Sequence, residues 1–545
     1  GYRRAADGMR LENLDLEAQL PFVAKAMAAP SLVAYPNGRI CPVHDSWATS
    51  RTIAPREQTS STLLPGFGHA SLGRGRGENQ LQAQMHFSGG YGHSHADNLH
   101  FALFAKGSEL LSDIGYTHSK LRRWTVSTIG HNLVAIDRQD QTTRDADGDL
   151  LMFVPDLNGL AVVEARGERG YPKLAEVYRR ELILVPVSET DAYVVDIFRV
   201  KGGSTHDWLL HGSADADMAA ECSLPLTPRE GTMLEPGEKW VEPLGESSSF
   251  IPYGLMREVR QAKAEGGFSV AFRFAKGDAG VRVHLLDGHG KDSVPTEVFL
   301  CQTPRIRQAE GDDRKAYDYW MPQVVARRRG PAPLTSAFVA VHEPFKPSAA
   351  GGFVREVRAL PLDPPAEFGV ALEVLHGEFT DTILSLPDPV GERRLPNGVV
   401  ARARLAVVRE QGGKVVAAWL VDGTQVSKGD FTLKLEEPRY EGVIESATRK
   451  ADGAAEDAFV TSAALPSGDS LAGHWMVVTH GNGYTHGYEI RCVERHDGKS
   501  FIILCDDHGL KITGDQTEEL YFPRRKIAGR NRFVVMGATA YAEKP

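Results

Sequence analysis

Downstream of Ser46 the apolar residues of this chain recur at every second position in short runs, separated by Gly, Pro, Asp and Asn. LQAQMHF, LHFALFAKG, HNLVAID, AYVVDIFRV, FSVAFRF, VRVHLLD and SAFVAVHEPF each fit a strand with one face turned inward. Further on, VVARARLAVVR, VVAAWLVDG, WMVVTHG, YEIRCVE and FIILCDD do the same. The expectation is a mainly β protein.

Residues 1 to about 30 are the exception. Asp15 can cap a helix carrying Leu16, Leu20, Val23, Ala24 and Met27 on one face, with Pro21 near its first turn or kinking it. One amphipathic helix cannot bury such a face by itself. It is therefore expected to end a helical domain whose larger part lies upstream of Gly1, and YPNGRICPVHDS (Tyr35 to Ser46) reads as a turn-rich connector into the β part.

At 545 residues the chain exceeds one core, and about 150 residues per domain suggests two to four domains. The Pro-rich LPLDPPAE around Leu360 to Glu367 is the expected boundary. The division is then 1–50 for the helical end and connector, 51–362 for a central antiparallel β-sandwich and 363–545 for a C-terminal β domain. A net charge of -9 argues against a nucleic-acid binder that works by neutralising phosphates. Five cysteines without a CxxC pair indicate neither a disulfide framework nor a cysteine zinc site, and their odd number leaves at least one free thiol. No apolar run is long enough for a membrane span, and GYRRAADGMRLENL has no signal-peptide h-region.

The chemistry concentrates between Gly89 and Asp137, where His93, His95, His100, His118 and His131 accompany Asp97, Asp113 and Asp137 among apolar strands. Neutral imidazole and carboxylate suit a borderline cation such as Zn(II), so a metal or acid/base site is the first hypothesis. The blander reading is that these histidines satisfy buried backbone groups. His93-Ser-His95 places two imidazoles on one side of an extended chain. A cupin-type oxygenase uses such a pair but wants a Glu a few residues on, where Leu99, His100 and Phe101 stand here. Lys106-Gly107 reads as a hairpin turn whose register puts Asp113 opposite His100. Pairing Asp113 with His95 instead requires Ala96-Asp97-Asn98 to turn back on itself.

Taken as a block, GHSHADNLHFALFAKGSELLSDIGY followed by TIGHN and VAID resembles the central β domain of the heparinase II/III-like polysaccharide lyases. The GHSHAD, DxG and HN elements stand in the family's order, PNGRICPVHDS looks like its connector, and YRRELILVP, YVVDIFRVKGG and THDWLLHG extend the likeness more weakly. The resemblance implies an (α/α) toroid followed by antiparallel β domains, and cleavage of uronate polysaccharides by β-elimination. It implies that His93 is the active-site histidine, and that His95, Asp113 and His131 hold a structural Zn(II) that fixes strands and braces His93 rather than acting on substrate. The family's catalytic tyrosine and carboxylate-neutralising Asn or His come from the toroid, most of which is absent from this sequence. Tyr2 and Tyr116 are the candidate tyrosines.

Arg74, Arg76, Arg122 and Arg123, the last two beside Trp124, are either sulfate or uronate contacts with a stacking ring or solvated loop charges. His206, His211, His480 and His486 read as strand-end or loop histidines. The function expected is a polysaccharide lyase acting on an anionic polysaccharide of glycosaminoglycan or alginate type, in the periplasm or secreted because the substrate is a polymer. The alternative is a carbohydrate-binding or structural β protein that keeps the metal site without cleaving.

Overall fold

The computed structural model of the chain describes residues 21–48, 60–89, 92–117, 120–243, 250–286, 294–305, 307, 312–349, 351–388, 391–521 and 524–543. Tyr2, Asp15, Leu16, Leu20 and His118 lie outside them. Helix α1 (Pro21–Leu32) contains Pro30. Met27, expected on a packed face, is 62% exposed.

From Thr62 onward the architecture is antiparallel β, as the alternation predicts. Strands β1 (Thr62–Leu64), β2 (His69–Arg74), β3 (Leu81–His86), β4 (His100–Ala105) and β5 (Ser108–Leu111) form one sheet in sequence order. The four-residue helix α2 (Arg122–Thr125) and β6 (Val134–Ile136) follow. Four strands, β7 (Asp149–Leu157), β8 (Leu160–Arg166), β9 (Ala175–Pro186) and β10 (Ala192–Gly202), make half of an eight-stranded sheet. Its other half comprises Met218–Cys222, Phe268–Phe274, Gly280–Leu286 and Thr335–Phe345. Strand β11 (Thr205–His211) pairs with β6 and with Trp320–Arg329 in a third, six-stranded sheet.

The eight-stranded sheet is buried on both faces. Leu182, Leu184, Val194 and Phe198 pack into the core shared with the first and third sheets, which includes Phe101, Leu103 and Trp208. Their neighbours Ile183, Val185, Tyr193, Val195 and Ile197 pack the other way, against Leu372, Ile383, Val407 and Trp419 of the next sheet. Opposite faces of one pleat thus serve two cores, which is why ELILVPV and AYVVDIFRV carry apolar residues at consecutive positions. That next sheet contains Val354–Ala359, Val370–His376, Phe379–Ser385, Val399–Gln411 and Lys414–Lys428. A seven-stranded sheet with its own core, around Phe459, Met476, Ile490 and Ile502, lies beyond it.

Buried ion pairs cross the second core. Arg199 donates to Glu181 Oε2 (3.0 Å) on its own sheet and to Ser385 Oγ (2.6 Å) and the Phe368 carbonyl (3.0 Å) on the facing one. Arg404 reaches back to Glu164, and Tyr193 donates to Asp381 (2.6 Å), whose carboxylate also takes two hydrogen bonds from Arg409 (2.7 Å each).

Candidate metal centre and exposed histidine

The connector is placed before any strand of the first sheet begins. Asn37 and Gly38 (φ +79°) turn the chain so that Tyr35 N–H donates to the Arg39 carbonyl (2.7 Å), and Cys41 N–H donates to Val33 (2.9 Å). Gly115 lies against this segment: a Cβ there would meet the Ser46 carbonyl at 2.8 Å and Pro42 at 2.9 Å, at a φ of +72°. The DxG element therefore needs its glycine for both reasons. Tyr116 N–H donates to the Ser46 carbonyl (3.0 Å), and Asp45 N–H to the His93 carbonyl (3.3 Å), which brings connector, GHSHAD loop and DxG turn together.

The hairpin register differs from the simple expectation. Ala105 pairs with Ser108 and Phe104 with Glu109, but Leu103 pairs with Leu111, so a bulge at Leu110 shifts the rest by one residue. Asp113 is then not the cross-strand partner of His100, although their side chains still approach to 3.7 Å. Asn132 of the HN element ties the region down, with its side-chain amide donating to the Phe101 (3.1 Å) and Ser112 (3.3 Å) carbonyls. Arg180, fully buried and paired with Asp196, donates to the carbonyls of Leu99 (2.7 Å) and Asn132 (2.6 Å). The Leu99 backbone it holds lies at φ +69°, a strained conformation for a bulky residue.

His95, Asp113 and His131 converge, with potential ligand atoms within 4.8 Å of one another. His131 Nδ1–H donates to the Ser127 carbonyl (2.7 Å), which leaves the Nε2 lone pair facing Asp113 Oδ2 at 3.7 Å. Asp113 Oδ1 accepts from Gly115 N–H (2.7 Å), so Oδ2 is the oxygen turned inward. His95 Nε2 contacts Asp45 Oδ1 (2.9 Å), and its Nδ1 is buried without a hydrogen-bond partner, as is His131 Nε2. Two orphaned imidazole nitrogens beside a carboxylate fit a tetrahedral cation such as zinc, with the carboxylate behind His95 orienting the ring.

Electrostatics agree with that donor set. Burial pushes His95 and His131 below the ordinary histidine range, so both imidazoles are neutral ligands at physiological pH. Burial and then the charge of Asp97 push the Asp113 carboxyl up to about 6. His100 is placed differently. Its Nδ1 accepts from Asn132 N–H (3.0 Å), which puts the ring proton on Nε2 and removes that nitrogen from ligation.

His93 is the outward element of the site, with its side chain 86% exposed on a backbone at φ +68°. Its Nδ1 contacts Asp45 Oδ2 (2.9 Å); because the carboxylate can only accept, the ring proton sits on Nδ1 and Nε2 faces outward as a lone pair. Arg122 donates to the same carboxylate (2.9 Å), and its guanidinium lies 4.7 Å over the ring of Tyr116, which packs edge-on against Trp47. Burial opposes ionisation of Asp45, but hydrogen bonds from His95, His93 and Arg122 hold its carboxyl well below the usual range. The four side chains His93, Asp45, Arg122 and Tyr116 thus form one continuous group.

Sequence reasoning missed Asp45 and His44, which it had treated only as part of a connector; the adjacent His-Asp pair in PVHDS was the available signal. It also gave no role to His86, and placed Asp97 only in the cluster and the turn that follows the HxH pair. Trp124 is fully buried and donates to the Pro304 carbonyl (3.1 Å), so it is not a sugar-stacking ring. Arg74 donates to the Ser188 carbonyl (2.5 Å), away from the centre. All five cysteines are free thiols. Among the described residues no helix is long and apolar enough to cross a membrane.

A cleft of about 450 Å³, with His93 not among its lining residues, lies between the β1–β3 sheet and the C-terminal strands. Phe67, Ser88, Trp475, Tyr484 and Arg525 line it, together with the acids Asp147, Glu489, Asp506, Asp507 and Glu519. The exposed imidazole does not face it.

Residues 72–267 match the family described as "Heparinase II/III-like, C-terminal". No curated protein matches the chain. Among solved structures it is similar to heparinase III (14% identity, TM-score 0.45, covering 66% of this chain and 53% of that one). It is also similar to heparan sulfate lyase HepC from Pedobacter heparinus (15% identity, TM-score 0.43, covering 66% and 52%). The chain therefore spans about half the length of the solved structures it matches. The family match takes in His93, His95, Asp113 and His131. Residues 72–267, which hold the GHSHAD, DxG and HN elements, match the heparinase II/III-like C-terminal family.

Proposed function

We propose that the protein is a polysaccharide lyase that cleaves a uronate-containing anionic polysaccharide by β-elimination, with His93 in the reacting group. The observation that carries this reading is the exposed His93 imidazole, held by Asp45 beside Arg122 and Tyr116. In β-elimination a base removes the weakly acidic proton next to the uronate carboxylate. The electron pair left behind forms the ring double bond, and the neighbouring glycosidic C–O bond breaks as its oxygen takes a proton.

His93 supplies an outward lone pair at Nε2 for the proton abstraction. Protonated, it supplies a donor to the uronate carboxylate as negative charge develops. Tyr116 supplies a phenol for the departing oxygen, and Tyr2, outside the described residues, stays a second candidate. Arg122 contributes positive charge where an acidic sugar approaches. His95, Asp113 and His131 would hold a structural Zn(II), which when bound fixes the strands behind His93. A periplasmic or secreted location follows from a polymeric substrate.

The substrate panel comprises heparan sulfate, alginate and other uronate polymers. The test is release of unsaturated uronate, followed by its ultraviolet absorbance, with the full natural protein. Product formation that disappears in His93→Ala supports the reading. Polysaccharide binding without product would instead make the protein a carbohydrate-binding module that keeps the metal centre.

A further inference from the structure

A second constellation sits beside the first, on the far side of Asp97. His44 Nε2, His86 Nε2 and Ser88 Oγ form a triangle with each pair 3.0 Å apart. His44 is 7% exposed, His86 3% and Ser88 2%. His44 comes from the connector and His86 and Ser88 from the end of β3, so two separately routed pieces of chain converge on one point.

The hydrogen bonds around the triangle set its donors. Asp97 Oδ2 lies 3.1 Å from His44 Nδ1, and a carboxylate can only accept. His44 Nδ1 also lies 3.2 Å from the His95 N–H that points at it; the tautomer that donates from Nδ1 to the carboxylate leaves a lone pair on Nε2 directed into the triangle. His86 Nε2 faces it across 3.0 Å. Two such lone pairs repel unless a proton or a cation lies between them. Asp97 Oδ1, fully buried and without a hydrogen-bond partner, stands 3.8 Å from His86 Nε2.

The spacing suits a metal. Donors bound at roughly 2.0–2.1 Å to a tetrahedral zinc lie roughly 3.3 Å from one another, close to the separations here. Charge points the same way, because Asp97 is a buried carboxylate whose Oδ1 faces His86 of the triangle.

We propose that His44, His86 and Asp97 form a second divalent-cation site, of the imidazole–carboxylate kind that takes zinc or a similar first-row metal. Ser88 or a water completes its coordination. Asp97 Oδ2 is 3.9 Å from His131 Nε2, so the two sites share a wall and make a two-cation centre. The second ion joins the connector to β3, and Ser88 gives it access from the 450 Å³ cleft. The site is independent of the lyase reading, since it is defined by metal content alone.

The test is a metal count on the full chain, stripped with chelator and titrated with Zn(II) by calorimetry, then with Co(II) followed by its visible absorption. Two equivalents are expected for the wild type, one for His86→Ala, and one for His44→Ala. One equivalent in the wild type overturns the proposal, whether or not the variants fold, and indicates a plain N–H···N hydrogen bond between His44 and His86. Two equivalents retained in both folded variants also overturn it, by placing the second ion elsewhere.

Discussion

Asp45 Oδ1 lies 2.9 Å from His95 Nε2 while its other oxygen lies 2.9 Å from His93 Nδ1, so one connector carboxylate orients a metal-facing and a solvent-facing imidazole at once. Asp45→Asn keeps the shape but can accept through only one atom. Lyase turnover is expected to fall about 10- to 100-fold, the range for partners behind ligands and catalytic groups, with a parallel loss of metal affinity. Unchanged kcat together with unchanged zinc affinity would remove Asp45 from both roles.

His93→Ala separates catalysis from architecture. The side chain is 86% exposed, so its loss should leave the melting temperature and metal content unchanged while turnover drops by roughly a hundredfold or more. Near-wild-type turnover, or a stability loss equal to that of His95→Ala, contradicts the assignment.

His95→Ala and His100→Ala distinguish ligand from neighbour. The His95 variant is expected to lose an equivalent of zinc and to melt lower, because His95 Nδ1 is the nitrogen without a protein partner. His100→Ala should retain its zinc, since His100 Nδ1 is already taken by the Asn132 amide. Elemental analysis of the purified variants decides; the reverse pattern would make His100 the ligand.

Part of the acid sensitivity should originate in the core between the two large sheets, away from the candidate metal centre. Burial alone would raise the Glu164 carboxyl, but Arg404, Arg179 and Arg199 overcome it and hold it down to about 2; for Asp381 burial is likewise overcome, by Arg409 and His376, again to about 2. Both folded values lie below the unfolded ones, so the stability they contribute is complete above pH ~4.5 and is lost as pH falls towards 2. Each carboxylate contributes on the order of 2–3 kcal/mol at neutral pH. Urea midpoints measured from pH 6 down to 2 should fall steeply below 4.5, and Glu164→Gln should flatten that fall.

The strands were legible because period-two alternation survives in one dimension, as in LHFALFAKG and FSVAFRF. His95, Asp113 and His131 come together in the fold, whereas simple hairpin register favoured His100. Nothing in SELLSD signals the Leu110 bulge, since no glycine or proline marks it, and a one-residue shift is invisible to any count made from the turn. His44 and Asp45 were hidden for another reason. They lie about fifty residues upstream of their partners in a segment without periodicity, and only the folded connector brings them into contact. Trp124 was ambiguous because an aromatic beside two arginines looks the same in sequence whether its ring faces sugar or core.

The arginines that cross between the eight-stranded sheet and its C-terminal neighbour bear on how the molecule comes apart. Arg199, Glu164 and Glu181 are essentially solvent-free, and part of their compensation comes from Ser385, Phe368 and Arg404 across the interface. Separating the sheets leaves charges stranded in an apolar surface, a penalty of several kcal/mol that no solvent-exposed hinge would carry. The covalent seam around Leu360 is thus not a line of weakness, and calorimetry should record the two β units melting in a single endotherm. A fragment ending near residue 350 would present an unpaired charged face to water, and is expected to aggregate or stay unfolded.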